Sequence, residues 1–195
     1  QRIVMVGHGD KQRMLEHLLR GDDVSRAIGF TRPTHGANQL ARKLENAGIN
    51  AEALHGNKSQ NARQRALRNF KTGDARVLVA TDIAARGIDV DAVSHVFNYE
   101  LPHEPESYVH RIGRTGRAGA TGAARSLVDP SERGRLRAVE KLIRFSPTQV
   151  EVDMPHQEHV EPARISEPRR RSRRRASTNQ RASAAARPRA GSRRR

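Results

Sequence analysis

Arg76-Val-Leu-Val-Ala80 sets apolar residues side by side with no polar alternation, and this run constrains the fold more than any other stretch. A strand with one wet face alternates polar and apolar; a strand apolar on both faces must be covered on both, as in a parallel sheet between helical layers. Residues 93–99 repeat the theme, and shorter runs over 2–6, 27–30, 51–54 and 123–128 read as further strands. Between them the apolar residues change to helical spacing. Met14, Leu15, Leu18 and Leu19 form one stripe; Ala37, Leu40, Ala41 and Leu44 form another, ending at Gly48; Ala62, Ala66, Leu67 and Phe70 lie between an N-cap candidate, Ser59, and Gly73. Pro105 suits the first turn of a helix over 104–112, and a closing helix fits 131–144 before Ser146-Pro147. Such alternation predicts an α/β domain over 1–150, a mostly parallel sheet with helices on both faces.

The segment His110-Arg-Ile-Gly-Arg-Thr-Gly-Arg-Ala-Gly119 interleaves Arg111, Arg114 and Arg117 with glycines. Helical spacing would set the arginines along one face, and the glycines would let a backbone or ligand come close. Guanidinium stays charged and grips phosphate oxygens with a planar fork, so the face suits a polyanion. An arginine delivered from a neighbouring domain accelerates phosphoryl transfer by on the order of 10³ to 10⁵, and Arg114 and Arg117 are the candidates. Residues 81–89 form a loop of small and charged residues past the carboxyl end of the clearest strand, where open α/β sheets bind ligands.

The formal charge is +16, from 37 Lys+Arg against 21 Asp+Glu. Residues 164–195 hold 13 arginines against the single Glu167, so the basicity is concentrated there. Residues 151–195 read as a disordered Arg/Ser/Ala-rich tail, too poor in apolar surface to offset chain entropy, and as a salt-sensitive tether to RNA or ribonucleoprotein. With no cysteine, thiolate metal sites and disulfides are excluded, and the histidines show no metal-ligand spacing. No secretory segment and no apolar run of membrane-spanning length is present, so the expected location is cytoplasmic. The chain starts at Gln1, which suggests a fragment or processed product.

Three strings in order, Arg76-Val-Leu-Val-Ala-Thr-Asp-Ile-Ala-Ala-Arg-Gly-Ile-Asp89, Asn98-Tyr99 and Tyr108-Val-His-Arg-Ile-Gly-Arg-Thr-Gly-Arg-Ala-Gly119, resemble motifs V, Va and VI of DEAD-box RNA helicases. The wording of His35-Gly-Ala-Asn38, Leu54-His-Gly-Asn-Lys-Ser-Gln60 and Asn98-Tyr-Glu-Leu-Pro102 is similar to the RhlE branch. The resemblance implies a RecA-like, P-loop NTPase-type three-layer fold, and implies the second of two such domains. Neither a Gly-Lys-Ser/Thr P-loop nor an Asp-Glu-Ala-Asp tetrad occurs in the chain. ATP with Mg²⁺ would then be held by a first domain, the metal wholly so, and the chain alone would be inactive. On the same resemblance Arg114 and Arg117 would be arginine fingers, with His110 and Arg111 organising the domain junction. Asp89, Gly87 and Arg86 would line the nucleotide's ribose edge. Thr81, Asp82, Gln60, Arg63, Phe30 and Thr31 would face the RNA backbone, without reading bases.

Some residues sit badly in this scheme. Gly29 lies within a strand that wants bulk, Arg125 within a strand where a buried guanidinium needs a partner or an exposed edge, and Arg32-Pro33 and Phe145-Ser146 depart from RhlE-like wording. Two other readings stand beside the helicase: a non-enzymatic RNA-binding or annealing module, and a piece of a related superfamily 2 DNA helicase.

Overall fold

The computed structural model describes residues 1–153 except 33, 87, 89, 91, 118 and 120. Among the described residues seven strands and six α-helices follow one another: β1 (Arg2–Met5), α1 (Lys11–Leu19), β2 (Ala27–Phe30), α2 (Thr34–Asn46), β3 (Ala51–Leu54), α3 (Gln60–Thr72), β4 (Val77–Ala80), α4 (Asp82–Ala85), β5 (His95–Asn98), α5 (Pro105–Ile112), β6 (Ala123–Val128), α6 (Arg133–Ile143) and β7 (Thr148–Val150). The strands form one sheet in the order β3-β4-β2-β5-β6-β1-β7, and every pairing is parallel.

The apolar stripes cover the sheet as their spacing requires. On one face Met14, Leu15, Leu18 and Leu19 of α1 and Leu40 and Leu44 of α2 pack with Val4, Val77, Val79, Phe97 and Leu127. On the other, Phe70 of α3 and Ala84 and Ala85 of α4 join Ile28, Leu78 and Val96, while Tyr108 of α5 and Val139 of α6 join Ile3 and Val128. Local chemistry sets the helix ends. Ser59 accepts from the Ala62 amide at the start of α3, and Gly73 closes that helix in the left-handed region at φ 91°, where a side chain is disfavoured. Pro105 occupies the first turn of α5.

The structure departs from the sequence reading in a few places. Residues 82–85, read as loop, make one helical turn, α4. Residues 148–150, to which the sequence reading assigns no strand, form β7, which adds to the sheet on β1. Arg125 is not at an edge, since β6 lies between β5 and β1. Its guanidinium is offset instead by Asp23, 2.7 Å away in the α1–β2 connection. Gly29 faces open space: a Cβ built there meets no heavy atom within 4 Å. Pro33 and the tail beyond 153 lie outside the described residues.

Candidate functional site

The register places Leu54, Ala80, Phe30 and Asn98 in one row across β3, β4, β2 and β5. The chain leaves all four strands on the same edge, so the following residues gather at the carboxyl end of the sheet, where α/β sheets bind ligands. Arg111 is the centre of this edge. Although it belongs to the arginine segment, it does not share an outward face with Arg114 and Arg117, because α5 ends at Ile112 and the side chain turns inward to 1% exposure. Its fork meets Asp82 bidentately, Nε to Oδ1 at 2.6 Å and Nη2 to Oδ2 at 2.8 Å. Nη1 donates to the Glu100 carbonyl at 2.6 Å and to Asn98 Oδ1 at 3.2 Å. The guanidinium carbon stands 5.0 Å from the centre of the Phe30 ring. A buried charge is tolerated only with such partners.

From that anchor the chain turns through Gly113–Gly116 and carries the remaining arginines outward. Arg114 donates from Nη1 to the Ile88 carbonyl at 3.0 Å and from Nε to the His110 carbonyl at 3.3 Å. Burial, and then the like charge of Arg117, push its pKa down from the ordinary value; a guanidinium nonetheless stays charged at neutral pH. Arg117 Nε donates to the Gly113 carbonyl at 2.8 Å. The loop is fastened elsewhere too. Thr115 Oγ1 donates to the Val93 carbonyl, and Gly122 comes so near that a Cβ on it would stand 2.4 Å from the Gly116 amide nitrogen.

A cleft of about 20 Å³ lies between α4 and α5, lined by Phe30, Asp82, Arg86, His110, Arg111 and Arg114 among others. Its cations suit phosphate oxygens. Its size suits one wall of a nucleotide site rather than a whole one. Arg86 and His110 are exposed at this cleft. Asp89 and Gly87, expected at the ribose edge, lie outside the described residues.

The residues expected on RNA fall into two groups. Gln60 is exposed and Arg63 half-buried, one turn apart at the start of α3. Phe30 and Thr31, at 1% exposure, and Thr81, at 7%, are interior, so their side chains shape the edge from beneath rather than stand on it. The Asp82 carboxylate is committed to Arg111.

Sequence reasoning missed two features here. Asn98 and Glu100 were not foreseen as partners of Arg111. Near β6, Lys11 is 2% exposed and bonds to the Tyr99 carbonyl at 3.2 Å, to Asp129 at 3.1 Å and to Glu132. Burial alone would push the Asp129 carboxyl up; the Ser131 hydroxyl and the Lys11 ammonium outweigh it and hold the pKa well below the carboxylate range. The Asp129-x-x-Glu132 spacing was the available signal, since it forms a capping box at the turn before α6.

Comparison with known proteins agrees with this architecture. The helicase conserved C-terminal domain family matches residues 10–119. ATP-dependent RNA helicase CshA of Listeria monocytogenes is 48% identical over 141 residues, 72% of this chain and 27% of that protein. CshA of Bacillus subtilis is 52% identical over 115 residues, 59% of this chain and 23% of that protein. Among solved structures, the E. coli DEAD-box protein SrmB bound to regulator of ribonuclease activity A superposes with TM-score 0.74 at 40% identity, covering 78% of this chain and 90% of that one. S. cerevisiae Dbp5 bound to RNA and ADP BeF3 gives 0.70 at 34% identity, covering 78% and 42%.

The chain belongs to the helicase conserved C-terminal domain family, as the second RecA-like domain of a DEAD-box protein. It spans about a quarter of the length of the CshA relatives. The finer likeness to the RhlE branch rests on the wording of residues 35–38, 54–60 and 98–102 alone.

Proposed function

We propose that this chain works as half of an ATP-dependent RNA helicase, closing on a first RecA-like domain that holds ATP and Mg²⁺. The observation that carries the reading is the arginine loop: Arg111 fixes its root by four hydrogen bonds, Arg114 lines the cation-rich cleft beside it, and Arg117 follows three residues further along the same loop. When bound, ATP supplies the phosphoanhydride to be hydrolysed. Arg114 and Arg117 would meet the negative charge that grows on its terminal oxygens, with His110, Arg86, Gly87 and Asp89 along the same wall. Backbone carbonyls already hold the Arg114 and Arg117 side chains, so little reorganisation of these two is needed when charge develops. Gln60 and Arg63, over an edge shaped by Phe30, Thr31, Thr81 and Asp82, would hold the RNA sugar-phosphate backbone. Cations and amides recognise phosphate without reading bases, so binding would be independent of sequence and sensitive to salt.

The test is RNA-stimulated ATP hydrolysis by the chain alone and mixed with a purified first RecA-like domain of a similar helicase. Hydrolysis is expected only in the mixture, falling about a thousandfold or more on Arg117→Ala, the range for arginine fingers. Hydrolysis by the chain alone would overturn the half-enzyme reading. A second reading, an RNA-binding module acting through the tail, draws on the 13 arginines of 164–195. It would be preferred if Arg114→Ala and Arg117→Ala change nothing while removal of 164–195 abolishes RNA binding.

A further inference from the structure

A second cavity lies at the same edge of the sheet, on the α1 and α2 face rather than beside the arginine cleft. The helix after β2 covers one face of the sheet and the helix after the neighbouring β5 covers the other. Where adjacent strands send their chains to opposite faces, a crevice opens at the carboxyl ends, and α/β proteins place ligands there. At this switch point the structure holds a cavity of about 180 Å³.

Its wall sets a row of polar side chains beside apolar surface. His35, Gln39 and Lys43 lie four residues apart on α2, so they form a single stripe along the cavity. Their side chains make no hydrogen bond or ion pair to a described residue. His8 faces them from the turn after β1, its Nδ1 3.4 Å from Asp129 Oδ2, and Thr31, Gly36, Leu40, Tyr99 and Glu100 complete the lining. The one carboxylate is already occupied: Glu100 accepts from the Arg32 amide at 2.8 Å and from Arg32 Nη2 at 3.3 Å. The cavity therefore offers uncommitted donors, an offset carboxylate and an aromatic residue.

We propose that this cavity binds a nucleotide unit, its phosphate on His35 and Lys43 and its sugar or base against Tyr99. An anionic ligand fits because the free groups are donors and cations, and an aromatic wall suits a base face. The volume suits a single unit rather than an extended ligand. Two sources share that chemistry: a strand of RNA continuing past the Gln60 and Arg63 face, or a free nucleotide. The first rests on the RNA-binding reading above; the second does not.

The experiment uses the full chain with histidine side chains labelled for NMR, titrated separately with uridine 5′-monophosphate and with a twelve-nucleotide oligouridine. Either ligand is expected to shift the His35 and His8 ring signals. Lys43→Ala, read on the His35 and His8 rings, and His35→Ala, read on the His8 ring, are both exposed substitutions and should weaken binding by about 10- to 100-fold, the loss of one charge-assisted hydrogen bond, with the melting temperature unchanged. Shifts with the mononucleotide assign a free nucleotide as sufficient; shifts with the oligonucleotide alone assign the strand. If the oligonucleotide binds and Gln60→Ala with Arg63→Ala weakens it while the His35 and His8 rings are untouched by both ligands, the cavity proposal fails and the RNA reading stands. If no oligonucleotide binds but the monophosphate shifts the rings, the RNA reading fails and the cavity remains.

Discussion

At the scale of single residues, Arg111 and Gly122 decide whether the arginine loop exists in working form. Arg111 is a structural ion on which Asp82 and Asn98 depend, and removing one partner of a buried pair leaves the other charge uncompensated. Arg111→Ala is expected to destabilise the domain by about 3–5 kcal/mol in urea unfolding. Arg111→Lys should recover little, because an ammonium cannot reproduce the bidentate fork. Gly122→Ala tests the loop more selectively. The added methyl would drive into the Gly116 backbone, so residues 113–117 must shift. The expected outcome is at least about a tenfold loss of hydrolysis in the two-domain mixture with the circular dichroism spectrum retained. The arginines as a group were visible in the sequence, but their division into one buried and two outward was not. That division depends on Asp82, 29 residues away, and spacing carries no information about such a partner.

At the scale of elements, strands β2 and β3 fall at the residues the sequence indicated: β2 is an unbroken apolar run, and β3, broken by Glu52, is marked off by Gly48 before it and the His55-Gly56-Asn57 turn after it. The caps at Ser59 and Gly73 were equally plain. What escaped was short or polar: α4 is one turn of four residues, and β7, Thr-Gln-Val, is an edge strand without an apolar run. Gly29 was read as a cost, and the structure gives that cost a remedy. Its Cβ direction is empty and its backbone is extended within β2. Gly29→Ala should therefore stabilise the domain by about 0.5–1 kcal/mol through reduced chain entropy in the unfolded state, measured as a higher urea midpoint at unchanged m.

At the scale of the whole molecule, buried titratable groups set a direction for pH dependence. Burial lowers the pKa of His95, helped by Arg125 against the pull of Asp23, and burial and then Lys58 lower that of His55. Both fold best neutral, so their contribution is complete above the ordinary value of 6.5 and is lost as pH falls through the lower folded value. Asp129, depressed by its partners, contributes above the ordinary 3.8 and loses that contribution in stronger acid. Thermal unfolding is expected to show a decline in melting temperature beginning below about pH 6.5 and a steeper one below about pH 4. His95→Gln should flatten the first and spare the second.

The four bonds of Arg111 have a consequence for how such a domain responds to its ligands. One rigid plane is shared by the helix that leads to the arginine loop, the turn that follows β4 and the strand end at β5. A displacement of α5 that leaves this plane in place must carry α4 with it, and α4 begins beside Thr81 at the end of β4, across the arginine cleft from α5. The two walls of the cleft are therefore joined by a tie rod rather than by a chain of soft contacts. A push on one wall is passed to the other as a single rigid movement.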